Sequence, residues 1–494
     1  MSVNDPQCDA DVIVIGAGNA AFAAALSAAE RGRSVIMLER AEKAMAGGNS
    51  FFTAGATRMT HDGFDSLLDL VEPDERHDRT EVPAYTTDNY RSDLERVTEG
   101  RNDPELTEVL VAEISGGLRW LHSEHGMRYR LMYERQAYER ADGTFLFWGG
   151  LHVGNVGGGE GMIADYSAAA ERAGIEIRYE HHVMDFVIED GRVVGVEVAL
   201  SDGTRTTLRG ASTVLAAGGF EANADLREKY LGPGWSKAVV RGTPYNTGEL
   251  LLRALDLGAD RGGDWSTCHS TAWDAWFPAN QSNRALTNRL TRQSYPLGIV
   301  VNKAGKRFID EGADYRNYTY AKYGREILRQ PESVAFQVFD SAVRPMLRAE
   351  EYDMPGISVA VAETLDDLAH QLGVDRAGFT ETVNGYNTSI DRSIPVDPTV
   401  KDGAAATTVP VKSNWAYPIE EAPFFAYPVT CGITFTFGGL KTDVDGRVLT
   451  AGGAEIPGLL ACGESLGGLF SQNYPGGSGL AAGIVFGRRA GAIA

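Results

Sequence analysis

Asp11-Val-Ile-Val-Ile-Gly16-Ala-Gly18-Asn-Ala-Ala21, followed further on by Leu38-Glu39-Arg40, is the stretch that decides the fold. Val12 to Ile15 is a short apolar run of the kind that forms a buried parallel strand. Gly16 permits a tight turn. Gly18 lets backbone N–H groups approach a pyrophosphate at the N-terminus of the helix that Asn19 and Ala20 open. Ala21 takes the third small position, where helix packs closely on strand. Glu39, with Arg40 beside it, ends the second strand where the ribose hydroxyls of a dinucleotide need an acceptor. A plain glycine turn at a helix start accounts for Gly16 alone; the whole strand–turn–helix–strand unit with Glu39 points to dinucleotide binding.

With 494 residues, two domains are the default expectation. No apolar run is long enough to span a bilayer, and Met1 to Ala10 is short and polar rather than a signal peptide, so a cytoplasmic protein with no integral membrane segment is expected. Cys8, Cys268, Cys431 and Cys462 are scattered without metal-ligand spacing and read as reduced thiols, so no metal site is expected. The net charge of −21 argues against nucleic acid or anionic membrane as partner. An anionic substrate therefore needs a local cluster of Arg and His within a repulsive field.

Features elsewhere in the sequence decide which dinucleotide. Gly47-Gly48-Asn49-Ser50-Phe-Phe-Thr53-Ala54-Gly55 is small, polar and Gly-rich, suited to backbone passing against a flat ring system and a diphosphate. Gly458-Leu-Leu-Ala-Cys-Gly463-Glu464 is an apolar strand ending in Gly-Glu, with Glu464 as acceptor for ribityl or ribose hydroxyls. Asn473-Tyr474-Pro475-Gly476-Gly477-Ser478-Gly479-Leu480 then leads into an Ala/Gly-rich helix. The free N–H groups at that helix start suit a flavin pyrimidine edge, which becomes anionic on reduction. The bland reading is an ordinary strand–turn–helix. One extended cofactor, FAD, running between both chain ends is the simpler account. Between them, Gly157–Gly161 precedes a helix through Arg172, and strands alternate around an Asp190-Gly191 turn. Val183 and the Ala217-Gly218 strand end are placed against the cofactor.

Together these segments resemble the flavoprotein subunits of the fumarate reductase/succinate dehydrogenase superfamily, from about Asp11 to the C-terminus. Arg241-Gly-Thr-Pro-Tyr-Asn-Thr247-Gly248, Asp264-Trp-Ser-Thr-Cys-His269, Thr434-Phe-Thr-Phe-Gly-Gly and Asn473-Tyr-Pro-Gly-Gly-Ser are most similar to FAD-dependent tricarballylate dehydrogenases. The resemblance implies an α/β fold: a Rossmann-like FAD-binding domain split in sequence, 1–261 and 426–494, with an inserted α+β capping domain at 262–425. Family members that bind FAD covalently use a His in the segment matching Gly47–Gly55; this chain has none there, which implies non-covalent FAD.

The family reaction moves a hydride between flavin N5 and one carbon of a carboxylate-activated C–C bond, with a proton moving at the neighbouring carbon. It requires carboxylate clamps, an acid/base and a closed, dry site. Phe339-Asp340-Ser-Ala-Val-Arg344 resembles the element carrying the family's acid/base arginine, making Arg344 the candidate. Val301-Asn-Lys-Ala-Gly-Lys-Arg-Phe308, followed by Glu311 and Arg316, resembles the proton-relay segment, with Arg316 about one residue from the partner's expected place. His269-Ser270-Thr271 resembles the family's His-Pro-Thr motif, whose imidazole contacts a substrate carboxylate. An arginine has a pKa above 12, so using it as a base at neutral pH costs on the order of 7 kcal/mol; as proton donor it has no such difficulty. For the oxidative direction Tyr474, Tyr315 and Tyr318 are alternatives. Plain structural roles are the bland readings of Arg344 and His269.

Two departures bear on the substrate. Fumarate reductases place a His where this chain has Phe435, and an Arg where it has Tyr474. Charged hydrogen bonds contribute roughly 1.5–3 kcal/mol each, so fumarate and succinate should bind poorly. The expected function is α,β-dehydrogenation of a polycarboxylate such as tricarballylate. The alternatives are the same flavin chemistry on a biosynthetic intermediate or ketosteroid-like enone, enoate reduction, or a redox module serving a partner protein. The small-molecule substrate apart, an external electron acceptor is the expected partner.

Overall fold

The computed structural model describes residues 8–140 and 142–494, so most of the polar opening segment, residues 1–7, lies outside them. The chain divides into two compact units. One takes the described residues through Gly232, with Gly242–Cys268 and Phe435–Ala494; the other takes Pro233–Arg241 and His269–Thr434. The second unit has bounds different from the 262–425 of the expected insertion. It runs on to Thr434 and takes in Pro233–Arg241 because one long strand, Phe424–Thr436, pairs with Val239–Val240.

In the first unit β1 (Ala10–Ile15) pairs in parallel with β2 (Val35–Leu38), and β2 with Glu176–Arg178. On its other side β1 pairs in parallel with the end of Arg205–Leu215, which in turn holds Glu455–Ala461. Val12, Ile13 and Val14 have no exposed surface, as expected of a parallel strand covered on both faces. The cover on one face comes from α1 (Asn19–Ala29) and the C-terminal helix (Ser478–Ile493). Their composition explains their closeness: a Cβ at Gly491 would lie 2.0 Å from the Ala24 carbonyl oxygen.

The strands His181–Glu189, Arg192–Leu200 and Arg205–Leu215 form an antiparallel meander. Asp190 and Gly191 both have positive φ (48° and 77°), the conformation of a two-residue turn matched to the twist of the strands. The third strand leaves this meander to join the parallel sheet, so the Ala216–Gly219 turn that follows it stands beside the Gly16–Gly18 turn.

The second unit is built on a six-stranded sheet in which Phe424–Thr436 is central, flanked by Ala335–Phe339 and then Ile299–Asn302. Helices Leu365–Leu372 and Arg376–Ser389 cover it, burying Phe379, Val383 and Tyr386 against Ile299, Val301, Phe336 and Val338. Among the described residues no helix is long and apolar enough to cross a membrane.

Candidate active site

The first unit contains an open cleft lined by residues from both ends of the chain. Gly16, Gly18, Asn19 and Ala20 form its floor, with Glu39 and Arg40 at the end of β2. Gly48, Asn49 and Ser50 form one wall; Val183, Ala217, Gly218 and Glu464 also line it. The groups suit a dinucleotide. Gly18 caps α1 without any side-chain hydrogen bond, which leaves helix N–H groups facing the cleft. Glu39 is fixed by the Ala41 N–H, which donates to its Oε1 at 2.8 Å.

Gly16 has φ +110°, and a Cβ there would lie 2.5 Å from the Ala216 carbonyl oxygen. Backbone strain of this kind costs of order 1–3 kcal/mol, so Gly16→Ala is expected to weaken FAD binding by at least about fivefold. Fluorescence of the FAD released from a known amount of purified protein measures it; full flavin occupancy in the variant would refute the turn's role.

Ala21, Ala54, Gly55, Gly463, Ser478, Gly479 and Leu480, also expected at the cofactor, stand outside the lining of this cleft. Leu480 supports it from behind, its carbonyl accepting from Asn19 Nδ2 at 2.9 Å, whereas Ser478 Oγ accepts from the Tyr90 hydroxyl at 2.8 Å. The reading of the residues had not placed Tyr245, Asn246, Thr247 and Glu249 at the cofactor, yet they line it. Arg40 donates to Thr247 Oγ1 at 3.0 Å and lies over the Tyr245 ring. The first three belong to the Gly-Thr-Pro-Tyr-Asn-Thr-Gly segment, and Glu249 follows it directly.

In the second unit His269 is buried, edge-on to the Tyr320 ring with centroids 5.1 Å apart. Burial, together with the Arg241 guanidinium, holds its pKa well below the usual histidine range, so the imidazole is neutral near pH 7. Arg241 donates to Thr434 Oγ1 at 2.7 Å and lies over the Trp273 ring. The hydroxyls of Ser270 and Thr271, next along the strand, are buried without hydrogen bonds. That strand is gripped by the helix Tyr320–Leu328: a Cβ at Gly324 would lie 2.6 Å from the Ser270 carbonyl carbon.

Arg316 occupies the turn immediately before this helix, and its Nη1 donates to Gln293 Oε1 at 3.0 Å. The same oxygen accepts from Arg348 Nη1 at 3.0 Å. Tyr315 tilts against Trp415, and Tyr318 is buried in the Arg316 turn. Arg344 is placed elsewhere in the unit. It pairs with Asp353, donates to the Tyr352 carbonyl at 3.1 Å and lies over Phe425. Glu311 is fully buried in an ion pair with Arg307, and its Oε1 accepts from the Val300 N–H at 2.7 Å. Beside it Lys412 donates to the Pro296 carbonyl at 2.7 Å, its pKa lowered by burial to about 7. Glu311 thus ties a strand to a loop.

Tyr474 belongs to the first unit. Its ring packs with Phe435 (5.2 Å between centroids), Phe470 (5.5 Å) and Phe437 (6.4 Å) in an aromatic cluster. Of the five residues expected at the chemistry, the structure brings His269 and Arg316 onto one packed strand–helix pair, and holds Arg344 and Glu311 in ion pairs of their own.

Residues 11–480 match the FAD binding domain family. The probable fumarate reductase Ifc3 of Shewanella frigidimarina is 28% identical over 490 residues, which cover 98% of this chain and 75% of that protein. The urocanate reductase of Eggerthella lenta is 28% identical over 513 residues, covering 98% and 74%. Among solved structures, the open conformation of a flavocytochrome c3 fumarate reductase superposes with a TM-score of 0.72 at 26% identity, covering 98% of this chain and 77% of the other.

Proposed function

The chain belongs to the FAD-binding domain family, and on that premise we propose that it desaturates, or in reverse reduces, a C–C bond α,β to a carboxylate on a polycarboxylate such as tricarballylate. It is an FAD-dependent oxidoreductase acting on CH–CH groups, and it holds its flavin without a covalent bond. When bound, FAD supplies the two-electron centre for that chemistry.

The observation that carries the reading is the burial in one unit of His269 and of the Arg241 guanidinium, near enough that the cation helps keep the imidazole neutral. A neutral imidazole offers one N–H and a guanidinium a planar fork, a combination suited to a carboxylate. Such a cluster is the local exception that a chain of net charge −21 needs to attract an anion. Because the His269 pKa lies well below 6.5, carboxylate binding should not fade as pH rises through that value.

Arg316 is the proposed proton donor. It precedes the helix that grips the His269 strand, and Gln293 holds its guanidinium in one orientation. Arg344, bonded to Asp353 and the Tyr352 carbonyl, is assigned a structural role. Glu311, whose oxygens serve Val300 and Arg307, is assigned one too. Electrons are proposed to pass to an external acceptor, or arrive from an external donor.

The aromatic cluster of Phe435, Phe437, Phe470 and Tyr474 favours a second reading, in which the carboxylate is attached to an apolar or ring-bearing body. Anaerobic titration of the oxidised holoenzyme separates the two. Bleaching of the flavin band by tricarballylate supports the first; bleaching only by a saturated aryl propionate supports the second, and bleaching only by a 3-oxosteroid would count against both. No bleaching by any carboxylate, with no reoxidation of reduced enzyme by the matching enoates, would overturn the carboxylate reading altogether.

A further inference from the structure

Glu221 and Glu464 stand together in the first unit: the Thr436 hydroxyl that meets Glu464 also accepts the N–H of Phe220, the residue before Glu221, at 3.4 Å, and neither carboxyl is ion-paired with a Lys, Arg or His among the described residues. Glu221 has no exposed surface. Its Oε1 accepts from Asn49 Nδ2 and from Asn246 Nδ2, each at 2.6 Å. Its other oxygen, Oε2, is buried and takes no hydrogen bond from an amide or a cation. Glu464 is half-buried at the cleft wall, where its Oε1 accepts the Thr436 N–H at 2.7 Å and the Thr436 hydroxyl at 3.1 Å. The nearby cation Arg227 binds the main-chain carbonyl of Glu221, not its carboxylate.

Both amides that Glu221 grips line the cofactor cleft, as does Glu464. An asparagine amide can present either edge to a ligand, and a carboxylate taking both N–H₂ groups fixes which edge faces inward. A second full charge on Glu464 would sit beside Glu221 with no counter-ion, and with a diphosphate to be bound in the same cleft. Enclosure and the neighbouring carboxyl raise the pKa of each group above the usual carboxylate range, Glu464 the more strongly. The titration belongs to the pair, not to either residue alone.

We propose that Glu221 and Glu464 share a single proton and act together as the positioning pair of the flavin nucleotide site. Glu464 presents a neutral carboxyl to the cofactor, while Glu221 carries the charge and orients Asn49 and Asn246. Loss of the shared proton places two negative charges in the wall, so cofactor affinity is full while the pair is singly protonated and declines as pH rises through the titration of that proton.

The test is the FAD dissociation constant of the full-length protein between pH 6 and 9.5, by quenching of FAD fluorescence on titration with apoprotein. The wild type is expected to weaken toward the alkaline end, approaching tenfold per pH unit for one linked proton. Glu221→Gln keeps an acceptor for the amides but removes the shared charge, and should flatten that slope. Glu221→Ala should bind more weakly than Glu221→Gln at every pH, because Asn49 and Asn246 lose their anchor. Glu464→Gln mimics the neutral carboxyl and should flatten the slope independently. His182, Glu249 and Arg40, also at the cleft, contribute equally to all four proteins, so differences in slope isolate the pair. A flat wild-type profile, or a wild-type slope retained in both glutamine variants, would overturn the proposal.

Discussion

Replacing Arg316 by alanine should lower turnover by about 10²–10⁴-fold, the usual contribution of a positioned proton donor, with flavin content and visible spectrum unchanged. The spectrum stays because Arg316 lies in the second unit, outside the cleft that holds the cofactor. Arg316→Lys keeps the positive charge but not the planar fork that meets Gln293, so it should recover only part of the loss. Arg344→Ala is the contrasting variant. Its ion pair with Asp353 is partly exposed (25% and 50%), and pairs of that kind are worth about 0–1 kcal/mol, so turnover should survive. Steady-state rates with an artificial electron acceptor, under saturating substrate, make the comparison. Loss of turnover in Arg344→Ala with retention in Arg316→Ala would return the donor role to Arg344. Reduction of a partner protein undiminished in both variants would favour a flavoprotein without a substrate of its own.

The nucleotide half of the site was legible because phosphate turns constrain sequence locally. Gly16, Gly18 and Glu39 are bound to one another by the geometry of a single strand–turn–helix–strand unit, and each lines the cleft. Glu221 and Asn246 were not legible. Glu221 takes its role from Asn49, 172 residues earlier in the chain, and Asn246 takes its role from Glu221, 25 residues before it, and no local pattern encodes either contact. The choice of a proton-donating arginine is harder still. Arg316 and Arg344 each open a one-turn helix in the second unit, and each sits in a segment that resembles part of the family's proton path. What the motif does not show is the ion pair of Arg344, because Asp353 lies nine residues beyond it in sequence, outside the segment being compared. Glu311 illustrates the same limit. Its place after the Gly-Lys-Arg-Phe hairpin suggested a relay, but Arg307 of that hairpin turns back to bind it. The unit boundary moved for a related reason, since Phe424–Thr436 is one continuous strand whose partners come from distant parts of the chain.

Asp274→Ala is expected to cost about 3–5 kcal/mol of stability in the second unit, the range for breaking a buried ion pair on one side. Asp274 and Arg292 both have no exposed side-chain surface and meet at 2.7 Å. The carboxylate does more than neutralise the guanidinium. Its Oδ1 accepts the Trp276 and Phe277 N–H groups at 3.1 and 2.9 Å, and its Oδ2 accepts the Ser358 N–H at 2.9 Å. Alanine takes this acceptor from all four donors, of which Arg292 Nη2 is fully buried and the three N–H groups partly so, whereas Asp274→Asn keeps the shape and should cost less. The residue closes the strand that begins at Cys268 and carries His269, so the loss should reach the site as weaker substrate binding in the surviving folded protein. Because the chain forms two compact units, unfolding is best followed by a probe within the second, such as Trp273 fluorescence, beside flavin release as a report on the first. The decisive comparison is Asp274→Ala with Arg292→Met and the double variant. If the cost comes from stranding a guanidinium, Arg292→Met should recover a large part of it in the Asp274→Ala background. Strictly additive losses, or a single-variant loss below about 1 kcal/mol, would mean that Arg292 finds water or another partner and that the pair does not hold the strand.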